Sequence, residues 1–70
     1  MRLERERLAQ LPKGVRLGVL GLREVFPPTG DPGPLPEKTV LEKLRDRGFE
    51  IEHTTYYKAL AYVRRGRMPE

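Results

Sequence analysis

The stretch "PPTGDPGPLP", residues 27–36, constrains this chain more than any other. Five of its ten residues are proline and two are glycine. Proline lacks a backbone N–H and locks φ, so neither a helix nor a regular sheet ladder can run through the segment. It divides a chain of 70 residues. The pieces on either side are too short to be independent domains, so residues 27–36 read as a loop inside one domain spanning 1–70. The loop could be an ordered wrap across the core or a mobile connection.

A domain of this size buries only about 60% of the surface its unfolded chain exposes, so its core is thin. The chain has no cysteine and a single histidine. Disulfides, thiolate metal sites and a histidine metal cluster within one chain are therefore excluded. Apolar packing, ion pairs or a second subunit must hold it together.

Residues 2–11, "RLERERLAQL", carry Leu3, Leu8 and Leu11 at helical spacing before Pro12 and Gly14 end the segment. A short amphipathic helix is expected there, with its mixed charges in solvent. Residues 15–26, "VRLGVLGLREVF", are ambiguous. Val15, Leu17 and Val19 alternate as a strand would, whereas Leu22, Val25 and Phe26 suit a helical face. Helix from Leu17 to Val25 is favoured, and Gly18 and Gly21 would then allow another element to approach closely. Residues 37–48, "EKTVLEKLRDRG", give the clearest helix. Val40, Leu41 and Leu44 make the apolar stripe, Arg45 and Arg47 lie where the helix dipole favours cations, and Gly48 is positioned as a left-handed cap.

The segment after Gly48, "FEIEHTTYYKALAYVRRGRMPE", admits two readings. As a strand over 49–57, Phe49, Ile51, His53, Thr55 and Tyr57 share a face, giving a small α+β domain. As a helix from Thr54 to Arg65, Tyr56, Ala59, Leu60 and Val63 fall at i, i+3, i+4 and i+7, a complete face over two turns. Alanine and leucine in "KALAYV" break the alternation and favour helix. The expected fold is therefore mainly α: a small helical domain, with residues 49–52 as a short extended turn.

Here the residues resemble a helix-turn-helix. "TVLEKLRDRGFEIEHTTYYKALAYVRRG" is similar to the DNA-binding modules of bacterial regulators, excisionases and transposases. In those modules a helix ending in glycine leads through an apolar turn residue to a recognition helix with a basic end. Ile51 matches the turn residue, and Thr54 to Leu60 match the recognition-helix start. The likeness covers residues 39–69. Two departures stand out. The turn is about two residues longer than the family's, and Glu52, a poor N-cap, holds the serine-like cap position, leaving Thr54 as the alternative cap.

The resemblance implies duplex DNA as the partner, with the last helix in the major groove and its first residues at base edges. His53, Thr54, Tyr57 and Lys58 are then the base-facing set, and Arg64, Arg65 and Arg67 bind phosphates. Each has a plainer reading: a surface histidine, a partly buried core ring for Tyr57, and a solvated basic helix end for the arginines. Charge is permissive. Lys and Arg number 14 against 10 Asp and Glu, for a net +4, and residues 53–69 contain no acid. A homodimer on a palindromic site would extend the few bases one short helix reads.

Two further classes remain open. The leucines of the first helix and the "VLGL" run could form a protein-interaction surface. If 49–57 were a strand, Tyr56, Tyr57 and Tyr62 could stack on single-stranded nucleic acid or RNA. No enzyme, cofactor or metal is expected. The chain has no nucleophile–base arrangement, no paired carboxylates and no metal-ligand spacing, and "TGDPG" lacks the Lys-Ser/Thr of a phosphate loop. No apolar run of signal-peptide or membrane-spanning length is seen, so a cytoplasmic location is expected.

Overall fold

Tyr56, Ala59, Leu60 and Val63 all point into the core, as their helical spacing requires. In the computed structural model, which describes residue 6 and residues 8–67 (Gly66 and Arg67 as backbone only), that core is enclosed by helices. Four are present among the described residues. The described part of α1 is residues 6 and 8–10, followed by α2 (Lys13–Val25), α3 (Glu37–Asp46) and α4 (His53–Arg67). Leu3 of the expected first helix lies outside the described residues, but Leu8 and Leu11 pack against the core.

The described residues contain no strand, so the α+β alternative with a strand at 49–57 is overturned. Residues 49–52 are a short link without regular structure, and helix begins at His53. The physical reason is the apolar face of α4, which buries four residues only if the chain coils. Phe49 and Ile51, the inward residues of the link, need no strand partner because they pack at the margin of the helical core.

The ambiguity at 15–26 also resolves to helix, and the helix begins at Lys13, earlier than Leu17. Pro12 precedes it and its carbonyl accepts the first helical bond, from the Arg16 N–H at 2.9 Å. Val15, Val19 and Leu22 enter the core. Gly18 and Gly21 set the packing distance. A Cβ built on Gly18 would sit 2.8 Å from Ala59 Cβ, and one on Gly21 would sit 2.7 Å from Phe49 Cγ. Their missing side chains let α2 lie against α4 and the 49–52 link, and α4 rests chiefly on α2 while α3 closes the third side with Val40 and Leu44.

The joint between α3 and α4 follows from its sequence. Gly48 has φ +89°, a conformation costly for other residues. It lets the Gly48 N–H reach the Arg45 carbonyl (2.9 Å) and the Phe49 N–H reach the Leu44 carbonyl (2.9 Å). These are the two bonds of a Schellman cap, and they satisfy carbonyls that the helix end would leave open. The Tyr56 N–H then donates to the Glu52 carbonyl at 2.8 Å. Glu52 thus holds the N-cap position of α4, its carbonyl accepting the first helical bond, and Thr54 lies within the first turn.

The proline-rich loop is an ordered wrap. The Gly30 N–H donates to the Phe26 carbonyl (2.8 Å), the Asp31 N–H to Thr29 Oγ1 (3.3 Å) and the Gly33 N–H to Asp31 Oδ1 (2.8 Å). Short polar side chains thereby take the place of the backbone partners that proline denies. Pro32 is buried. Among the described residues, no helix is long and apolar enough to cross a membrane.

Candidate nucleic-acid interface

With Tyr56, Ala59, Leu60 and Val63 sealed against the core, the opposite side of α4 is fixed by geometry. Thr54, Lys58, Ala61 and Arg65 recur at four, three and four residues and so form one outward stripe. All four are exposed. Lys58 and Arg65 have no ion-pair partner among the described residues, and the helix contributes no acid to the stripe. Ala61 adds little bulk between the two cations.

The expected site residues do not all share this stripe. Tyr57 and Arg64, seven apart, lie along one edge of α4, and each is tied to the opposite wall. The Tyr57 hydroxyl donates to Glu37 Oε1 at the first turn of α3. Arg64 Nη2 lies 3.4 Å from Asp31 Oδ1 and 3.3 Å from the Gly33 carbonyl oxygen. Both ties fasten the proline-rich loop and the start of α3 onto α4. Tyr57 is 53% exposed, so its reading as a partly buried core ring is corrected: that place belongs to Tyr56, at 2%. His53 is exposed as the first residue of α4, and the Arg67 side chain lies outside the described residues.

The same geometry shapes the two tyrosines. Burial pushes the Tyr56 hydroxyl above the ordinary tyrosine range, and the nearby Arg64 charge opposes that rise. The hydrogen bond to Glu37 raises Tyr57, and the negative charge of that carboxylate adds to it. The rings of Tyr56 and Tyr57 are tilted by 52°, with centroids 5.3 Å apart. Tyr56 is buried, Tyr57 exposed and Tyr62 half-buried. The three do not form the exposed sheet platform that the single-strand reading required.

Sequence reasoning missed Asp31 and Glu37 as partners of this edge. A signal was available in part: a seven-residue interval on one helix aligns Tyr57 with Arg64. Nothing local to α4, however, points 20 and 33 residues back along the chain to their partners. One concavity among the described residues is an open cleft of about 280 Å³ between the ends of α2 and α3, lined by Val25, Phe26, Lys43, Asp46 and Arg47. It gathers no nucleophile with a base. The described residues hold no group of three or more potential metal ligands. No family model, curated protein or solved structure matches the chain.

Proposed function

We propose that this domain binds duplex DNA through the outer stripe of α4, as a small transcriptional regulator or an excisionase-like factor. The observation that carries the reading is the stripe itself: Thr54, Lys58, Ala61 and Arg65, with two cations and no acid, on a helix whose other side is sealed in the core. A helix held so rigidly from behind can enter a major groove without rearranging. Thr54 and Lys58, in its first turns, take base edges, where a threonine can hydrogen-bond a base or meet a thymine methyl. Arg65 takes a phosphate, as does Arg67.

Within this proposal Tyr57 and Arg64 move from contact to frame. Each already has a protein partner, so each holds the loop and α3 at a fixed angle to the reading helix. Arg64 remains half exposed (49%), which leaves room for a phosphate on its outer side. His53 stands beside Thr54 at the helix entrance.

The test is fluorescence anisotropy with labelled random-sequence duplexes over a range of salt. Affinity should fall as salt rises, because each neutralised phosphate releases condensed counterions. Removing Arg65 should lower the slope of log affinity against log salt by about one. Binding that is undetectable at low salt would refute the proposal.

A further inference from the structure

We propose that α2 pairs with α2 of a second copy of this chain, antiparallel about a two-fold axis. The inference does not rest on the DNA reading. It starts from the side of α2 that faces away from the core. At 100° per residue, Lys13, Leu17, Leu20 and Glu24 fall within about 60° of one another, opposite Val15, Val19 and Leu22. All four are exposed, and Leu17 and Leu20 are two of the few large apolar side chains left in solvent, at 38% and 47%.

The stripe has a symmetry that selects its partner. Its spacings are four, three and four, so it reads the same from either end, while its chemistry runs cation, leucine, leucine, anion. Laid antiparallel on a copy of itself, with the axis between residues 18 and 19, Leu17 meets Leu20 of the other chain and Lys13 meets the other chain's Glu24. A parallel pairing would set like charges against each other at both ends. An isologous contact requires that if one residue meets another, the reverse also holds, and this stripe meets that condition at all four positions. Glu24 contacts Arg47 of its own chain through Oε2, at 3.5 Å. Its Oε1 is left to receive the lysine. The patch is small beside the standard of roughly 800 Å² per partner, so the pairing is weak and depends on concentration.

Sedimentation equilibrium of the full chain, without DNA, tests the proposal. From about 10 μM to about 1 mM, a span suited to a weak contact, the average mass should rise from 8.1 kDa toward twice that value. Lys13→Glu and Glu24→Lys should each weaken self-association by about tenfold, since the symmetry spoils two contacts at once. The two variants mixed should pair with each other, and the double exchange in one chain should restore self-association. Leu17→Ser with Leu20→Ser should abolish it while thermal melts show the fold intact. A wild type that stays at 8.1 kDa throughout overturns the proposal. So does a dimer that ignores the charge exchanges or the serine substitutions. Loss of DNA binding in the anisotropy experiment leaves these masses unchanged, so the two readings fail separately.

Discussion

Arg64 and Asp31 join the last helix to the proline-rich loop across 33 residues of sequence, at 3.4 Å. The pair is unequally exposed: the arginine side chain at 49% and the aspartate at 14%. Asp31 Oδ1 also accepts the Gly33 N–H at 2.8 Å, so one carboxylate oxygen both shapes the loop and anchors it.

That double duty predicts an asymmetry. Arg64→Ala removes a half-exposed ion pair and a long, exposed bond to the Gly33 carbonyl (3.3 Å), and should destabilise by no more than about 1 kcal/mol. Asp31→Ala removes the pair and the turn bond together, and should cost about 1–2 kcal/mol. Arg65→Ala, with no partner among the described residues, should lie within about 0.5 kcal/mol of wild type. Urea denaturation of the three variants checks the order. Equal losses for Arg64→Ala and Arg65→Ala would remove the tie.

The glycines of α2 make a second, internally controlled prediction. Alanine is the better helix former by about 1 kcal/mol, so each Gly→Ala change starts with a gain. At Gly18 the new Cβ would meet Ala59 Cβ at 2.8 Å, and a Cβ on a packed helix cannot swing aside. Forcing the helices apart should give a net loss of about 1–3 kcal/mol. At Gly14 the nearest atom is Thr55 Cγ2 at 3.4 Å, an ordinary contact, so Gly14→Ala should be neutral or stabilising. Thermal melts of the pair should move in opposite directions or differ by several degrees. Matching melts would contradict the close approach of α2 and α4.

These contacts mark how far the sequence could be read. The inward face of α4 was legible because Tyr56, Ala59, Leu60 and Val63 repeat at a period only a helix satisfies, and Gly48 was legible because a left-handed cap selects glycine. The start of α4 was less so. Capping rules look for serine, threonine, aspartate or asparagine, whereas the residue whose carbonyl accepts the first helical bond, from the Tyr56 N–H, is Glu52. At 15–26, period two and period 3.6 compete within one apolar run. The choice is made by Ala59 and Phe49, distant in sequence, whose fit requires glycines on one helical side. Tyr57 admits two readings because exposure at an edge depends on where the neighbouring wall stands. Its tie to Glu37 and the tie from Arg64 to Asp31 are long-range, and no local pattern carries them. Within the candidate site, the spacing of Thr54 and Lys58 on one side was legible, and the separation of Tyr57 and Arg64 from that side was not.

The tie between Tyr57 and Glu37 predicts a response to alkali. The hydrogen bond raises the folded-state pKa of Tyr57 above its ordinary value of 10.0. A raised folded-state pKa contributes stability that is fully present below the unfolded value and is lost as pH rises through the folded one. Wild type should therefore lose stability above about pH 10. Tyr57→Phe lacks the bond at every pH. It should melt slightly below wild type at pH 8, with the gap closing as pH climbs past 10. Burial raises Tyr56 in the same direction, and both proteins share that part of the decline. Melting temperatures measured from pH 8 to 11 supply the comparison. A gap that widens with pH would reverse the sign and exclude the tie.

If α4 binds duplex DNA, reading and attachment fall to different residues along it. Thr54 and Lys58 are four residues apart on the exposed stripe, in the first turns of the helix, and Arg65 lies two turns further along it. If the helix enters a major groove by its N-terminal end, Thr54 faces a base while Arg65 reaches the backbone. Losing a base contact relaxes preference at one position and costs about 1–3 kcal/mol, whereas losing a phosphate contact weakens binding to all sequences alike. Duplexes selected from a random library by wild type, Thr54→Ala, Lys58→Ala and Arg65→Ala should divide accordingly. The first two variants should each lose definition at a position that wild type specifies, and Arg65→Ala should select the wild-type sequence with lower yield. Tyr57→Phe keeps the ring and loses only its bond to Glu37, so it should also select the wild-type sequence. If all variants select one sequence, Thr54 and Lys58 do not read bases. If Arg65→Ala alone changes the sequence selected, the reading end of α4 is its C-terminal one.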